Sequence, residues 1–186
     1  PWKDIKSLVA AMKEKGNLRA STNGVKASNH TAAQLFAKSA GAKYKAITYG
    51  GTADQLLALR QGEVPFTCAK VADVAKLVTG AKPELRVLAV FDKKRLAEFP
   101  DVPTLGEVGL YPEWYGSARA VVAPAGTPKE VMDFYAEAFA KTMKDPEVIE
   151  AHKKAGLNLD YKDAKELGDL IKAQEVFAKD VVNKLY

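Results

Sequence analysis

Cysteine is almost missing from this sequence. Cys68 stands alone among 186 residues, so no disulfide can close within the chain. The two histidines, His30 and His152, lie far apart, which excludes a zinc site of the usual Cys/His kind. Long apolar runs are missing too. None approaches the roughly 20 residues of a membrane span, and no direct membrane insertion is expected. No basic-then-apolar leader opens the chain. It begins at Pro1-Trp2, without Met and directly beside a helix, and reads as a processed or cut piece of something longer. Charge of one sign is not concentrated. The 28 Lys and Arg outnumber the 23 Asp and Glu to give a net +5, yet no block of five or more occurs. The basic stripe interleaved with aromatics that marks nucleic-acid binders is also missing, so no nucleic acid is expected as a partner. No Walker, G-x-G-x-x-G or G-x-S-x-G motif occurs, and neither a cofactor nor a metal is implied.

What remains is an ordinary globular composition, 47% hydrophobic and 27% charged, long enough for one generous domain or two small lobes. The mild positive balance suits an anionic small ligand and plain solubility alike. The first ninety residues alternate regularly. Ile5, Leu8, Val9 and Met12 fall at helical spacing in residues 3–15, with Gly16 as a stop. Further helices are expected at 28–40, 53–61 and 71–79, the third opened by a Thr52…Gln55 capping box. Strands are expected at 18–22, 44–49, 64–69 and 85–91, with Pro65 weakening the start of the third. This rhythm implies an α/β fold with a parallel sheet. Residues 92–114 carry three prolines and read as a connector, with Thr104 and Glu107 as a further capping box. A second lobe follows. It has strands near 117–123 and 157–161, a helix entered through Thr127, Pro128 and Glu130, another opened by Asp145-Pro146, and a last helix at about 163–185. Two short strands make a poor sheet, so this lobe is expected to be partial and to expose apolar surface.

In a parallel sheet, ligands bind beyond the C-terminal strand ends, where helix N-termini offer free N–H groups to anions. Three loops there are candidates. The first is residues 21–30, contributing Thr22, Asn23, Gly24, Ser28, Asn29 and His30. The second is Tyr49, Gly50, Gly51 and Thr52, whose paired glycines admit close backbone approach. The third ends in Lys70, a point charge for an anion. Catalytic readings fare worse. Cys68, His30 and Asp54 are residue types found in nucleophilic sites, but Cys68 ends an apolar strand without a nucleophile signature, which reads as an inert buried thiol.

Several segments resemble one family in order along the chain. Gly24…Ser28-Asn29-His30 followed by Ala33-Gln34-Leu35-Phe36 resembles the G-x-G-S-S-x-H-x-A-x-x-L-F stretch of the Bug, or tripartite tricarboxylate transporter, receptors. Tyr49-Gly50-Gly51-Thr52-Ala53 is similar to their Y-x-G-x-A turn, and Leu85-Arg86-Val87-Leu88-Ala89-Val90 to their L-R-x-L-A-V segment. Phe99-Pro100-Asp101-Val102-Pro103-Thr104 with Glu107 resembles their L-P-D-V-P-T connector, and Ala123-Pro124-Ala125-Gly126-Thr127-Pro128 their A-P-A-G-T-P turn.

The resemblance implies a periplasmic-binding-protein type II-like fold: a parallel-sheet domain with a partial second lobe. It assigns residues 1–114 to ligand-binding domain two with its connector. Residues 115–186 become the C-terminal part of domain one, whose N-terminal half lies outside this chain. It implies a periplasmic, non-catalytic receptor that captures a small anionic organic acid, such as a di- or tricarboxylate. The partners it implies are the membrane subunits of a tripartite tricarboxylate-type secondary transporter. Arg119 resembles the arginine of the family's W-R-G variant, where it could clamp a carboxylate. Lys26 stands where the family has a second glycine, Gly50 where a polar residue is common, and Ala69-Lys70 where a D-N pair is frequent. Two rival functions remain from the residues: an effector-binding domain of a transcription regulator with the same fold, and a small hydrolase using Cys68.

Overall fold

The structure, a computed structural model, describes residues 1–155, 157, 159–180 and 185. The chain divides into two compact units, Pro1–Ser117 and Ala118–Tyr186.

The first unit begins with α1 (Ile5–Lys15). Asp4 caps it, taking the Ser7 N–H at 2.7 Å, while Ser7 Oγ reaches back toward the Asp4 N–H at 3.4 Å. Gly16 ends the helix with φ 66°, a left-handed conformation that glycine adopts at no steric cost. The chain then alternates through β1 (Arg19–Thr22), α2 (Ser28–Ser39), β2 (Lys45–Thr48), α3 (Thr52–Arg60), β3 (Phe66–Thr67) and α4 (Val71–Val78). The three strands form a parallel sheet in the order β2-β1-β3, with Thr22 opposite Thr48 and Ser21 opposite Thr67. Strand β3 is shorter than expected and starts just after Pro65, which has no N–H for the ladder.

The core under this sheet joins Ile5, Leu8 and Met12 of α1 to Ala20, Phe36, Ala37, Ala40, Phe66 and Leu105. Met12 is fully enclosed, a burial that contributes about 1.5–3 kcal/mol. Phe66 meets Phe36 and Tyr44 edge-on, with ring centroids 6.3 and 6.1 Å apart.

Residues 85–91 do not form the expected strand. The Leu85 N–H bonds to the Leu77 carbonyl at the end of α4, and only Val90 pairs, in one bridge with Thr104. Its neighbouring stretch carries Pro100 and Pro103, which lack the donors a longer ladder needs. The apolar character of the segment was still informative, because Leu88, Ala89 and Phe91 pack against the core. The Thr104–Glu107 box does form, with bonds of 2.7 and 3.1 Å, but it closes a turn rather than opening a helix.

The second unit holds α5 (Lys129–Thr142), α6 (Pro146–Lys154) and α7 (Ala164–Asp180). Asp145 caps α6 as expected, accepting from the Glu147 and Val148 N–H groups. Thr127 does not cap α5. Its hydroxyl turns back to the Pro124 carbonyl at 2.8 Å, and the first helical residue is Lys129. Residues 117–123 form no strand, because they have no ladder partner among the described residues and lie exposed, Val121 at 70% and Val122 at 82%. The expected strand at 157–161 includes Asn158, outside the described residues, and the others there are not in a strand. Of the expected helix reaching 185, residues 181–184 also lie outside the described ones, and Leu185 lies in a turn. No described residue of 118–186 is buried. Phe134, Tyr135, Ile171 and Val176 are all more than half exposed. Among the described residues no helix is long and apolar enough to cross a membrane.

Candidate functional site

Parallel pairing fixes where the loops go. With Thr22 opposite Thr48 and Ser21 opposite Thr67, the chain leaves β1, β2 and β3 at one edge of the sheet. Helices α2, α3 and α4 each begin just beyond that edge, so three N-termini gather there.

These helices share a feature that separates them from α1 in the same unit. Their N-cap residues are Ala27, Gly51 and Lys70, and none of the three supplies a side-chain cap. Uncapped N-termini leave N–H donors and the positive end of the helix dipole for another acceptor. The three are not equivalent. α3 carries Asp54 and α4 carries Asp73 in the first turn, whereas α2 has no acidic residue there. Of the three, only α2 has no first-turn carboxylate to offset the positive end of its dipole.

The polar side chains behind this edge are interlocked. Gln55, in the first turn of α3, is fully buried. Its amide oxygen accepts from Asn29 Nδ2 at 2.8 Å. Its amide nitrogen donates to Thr67 Oγ1 and to the Cys68 carbonyl, at 2.9 Å for the latter, with the Ser21 carbonyl at 3.4 Å. Thr67 Oγ1 also bonds the Ser21 carbonyl at 2.8 Å. Thr22 Oγ1 lies 3.3 Å from Thr48 Oγ1, and the Tyr49 N–H donates to the Thr22 carbonyl at 2.9 Å. Tyr115 places its hydroxyl 3.4 Å from the Ser28 carbonyl.

The candidate residues divide accordingly. Thr22, Asn29 and His30 are buried behind the edge, while Asn23, Gly24, Ser28, Gly50, Gly51, Thr52 and Lys70 keep exposed surface. The Asn23 side-chain oxygen is enclosed without a hydrogen-bond partner. Tyr49 turns its hydroxyl to Glu63 at 3.0 Å, so its main chain rather than its phenol stays with the loop. The Thr52…Gln55 capping box is a misreading. Gly51 is the N-cap, and Gln55 points inward with Leu56 and Ala58. A single uncharged amide on the inward face of α3 was the signal that could have revealed it. Neither Gly50 nor Gly51 has positive φ, so the turn does not need glycine geometry, and a Cβ at Gly51 would meet nothing within 4 Å. Lys26 does sit in the left-handed region, with φ 60°. Arg119 is exposed and belongs to the second unit. Two surface hollows lie elsewhere on the first unit, one lined by Leu18, Arg19, Lys45 and Pro65, the other by Ile5, Val9 and Leu110.

Electrostatics separate the nucleophile reading from the binding one. Burial pushes the Cys68 thiol up to about 12. At neutral pH it is a thiol, and attack requires the thiolate. His30 is buried and its pKa lies below the ordinary 6.5 because burial disfavours the imidazolium. Its Nδ1 accepts the Lys26 N–H at 2.9 Å, a role open only to an unprotonated nitrogen. The folded pKa is the lower one, so between the two values the unfolded chain binds more protons. The stabilisation is complete above about 6.5 and is lost as pH falls through the folded value. Thermal unfolding from about pH 7.5 down to pH 5 should show a falling midpoint in the wild type and a flatter profile in His30→Gln. Equal slopes would dissociate His30 from the acid response.

Across residues 1–186 the chain matches the family model TctC, the tripartite tricarboxylate transporter family receptor. The UPF0065 protein in the gbd 5' region of Cupriavidus necator is 28% identical over 186 residues, covering 100% of this chain and 56% of that protein. The chain thus spans little more than half the length of this curated relative. A TctC solute binding protein from Polaromonas, solved without ligand, is 26% identical with a TM-score of 0.83, over 99% of this chain and 62% of that one. An R. palustris protein solved with adipate is 22% identical with a TM-score of 0.85, over 100% of this chain and 62% of that one, a likeness of fold.

Proposed function

The chain belongs to the tripartite tricarboxylate transporter receptor family, and on that premise we propose that it is part of a periplasmic receptor that captures a small organic dicarboxylate. In this reading it hands the acid to the membrane subunits of a secondary transporter and performs no catalysis. The first unit is the ligand-binding domain two, and the second is the returning part of domain one. The additional length of the relatives completes that domain and covers the apolar side chains that α5 and α7 leave exposed.

What carries the reading is the set of uncapped helix N-termini at one sheet edge, with α2 free of acidic residues in its first turn. One carboxylate is received by the α2 N–H groups and the Ser28 hydroxyl. Charge-assisted bonds of this kind contribute about 1.5–3 kcal/mol each. Lys70, which has no ion-pair partner among the described residues, adds positive charge from the third loop. The adipate bound by the R. palustris protein supports a diacid as the ligand.

A thermal-shift panel of mono-, di- and tricarboxylates on the intact receptor tests this. A diacid at about 100 times its Kd should stabilise the fold by about 2.7 kcal/mol. A panel in which no carboxylate moves the midpoint rejects the reading.

A further inference from the structure

We infer that Gln55 is the positioning residue of the ligand site: it sets the placement of the α2 N-terminus against the β3 loop and thereby the length of diacid accepted. This rests on the dicarboxylate reading above.

The argument starts from the cost of burying an amide. Gln55 has no exposed surface, and an unsatisfied buried polar group costs about 1–3 kcal/mol. Here the amide is satisfied at both ends by groups from different elements. Its oxygen holds Asn29, the second residue of α2. Its nitrogen holds the Cys68 carbonyl and Thr67 Oγ1 of the β3 loop, close to the Ser21 carbonyl of β1. One side chain therefore ties together α2, α3, β1 and the β3 loop. It is itself enclosed, so it acts through the groups it holds.

The tie has a consequence for specificity. A carboxylate at α2 and a second charge drawn toward Lys70 sit on opposite sides of Gln55 in the chain of contacts. If that tie sets their separation, a four-carbon and a six-carbon diacid do not fit equally. Cutting the tie while keeping the side-chain volume lets α2 and the β3 loop move independently, and the two diacids then respond differently. A side chain that only stabilised the fold would weaken both by the same factor.

Calorimetry on the intact receptor with succinate and adipate reads this directly. Gln55→Met should change the ratio of the two Kd values by at least about fivefold, or about 1 kcal/mol. Gln55→Glu guards against a variant that fails to fold. The carboxyl it introduces can donate a proton to the Cys68 carbonyl when neutral but faces carbonyl oxygens when ionised. Relative to the wild type, its diacid affinity should fall as pH rises from about 6.5 to 8, above the range in which the diacids and His30 titrate, with the ligand-free unfolding midpoint followed in parallel. A constant succinate-to-adipate ratio in Gln55→Met, or a pH slope in Gln55→Glu that only tracks the midpoint, overturns the positioning role. A wild type that binds neither of these diacids nor any other carboxylate overturns the dicarboxylate reading and takes this inference with it.

Discussion

Replacing Ser28 with aspartate should weaken diacid binding about 100-fold while leaving the fold at least as stable as before. Ser28 is the first residue of α2, half-exposed, with Ala27 as an N-cap that gives no side-chain bond. A carboxylate in a first helical turn interacts favourably with the dipole, by about 0.3–1 kcal/mol. The same carboxylate occupies the place proposed for the ligand's anion. Two unit charges about 4 Å apart repel by about 4 kcal/mol at the effective dielectric of a protein surface. Part of this is screened, so the expected loss is about 100-fold in Kd, or about 2.7 kcal/mol. Ser28→Ala removes only a hydroxyl and should cost about tenfold. The unfolding midpoint of Ser28→Asp should equal or exceed that of the wild type. An aspartate variant that keeps its affinity would move the anion away from α2.

The location of this edge is legible in the sequence, because alternating strands and helices force parallel pairing and parallel pairing gathers the loops. Which side chains line it was less so. The chain pattern marks Thr22, Asn29 and His30 as polar, but it cannot say that the end of the central strand β1 and the first turn of α2 are buried. Gln55 illustrates the converse. Three residues after Thr52, it matches a capping box, and only its inward position on α3 tells otherwise. At Lys26, where the resemblance puts a glycine, such a residue would have a physical reason. The backbone there has φ 60°, a conformation costing an ordinary L-residue about 1–2 kcal/mol.

The strands were misjudged wherever the partner was the deciding factor. Residues 85–91 carry Leu85, Val87, Leu88 and Val90, residues 117–123 carry Val121 and Val122, and both segments fit a pleated surface. A strand, though, is defined by its neighbour. The first segment meets a proline-bearing connector and pairs only at Val90, and the second meets no ladder partner among the described residues. Helices, whose hydrogen bonds close within the segment, were read to within two residues in the first unit.

The largest effect on stability is expected from Phe66→Ala. Strand β3 has only two residues, so little ladder holds it to β1. Its anchorage is Phe66, 6% exposed, packed edge-on against Phe36 and Tyr44. Truncation removes the transfer energy of the ring and leaves a cavity between α2 and the sheet, together about 3–5 kcal/mol. That is a large share of the 5–15 kcal/mol by which domains of this size are stable. Because β3 delivers Thr67 and the Cys68 carbonyl to Gln55, the loss should spread to the loop edge. Hydrogen exchange of the β1 amides and the Tyr49 N–H should accelerate, by about 100-fold or more if exchange follows unfolding of the unit. Val122→Ala in the second unit is the matched control. With its side chain 82% exposed, it should change stability by no more than about 0.5 kcal/mol. If Phe66→Ala costs as little as Val122→Ala, the aromatic cluster is not what fastens β3, and the placement of the third loop must depend on the Gln55 bonds alone.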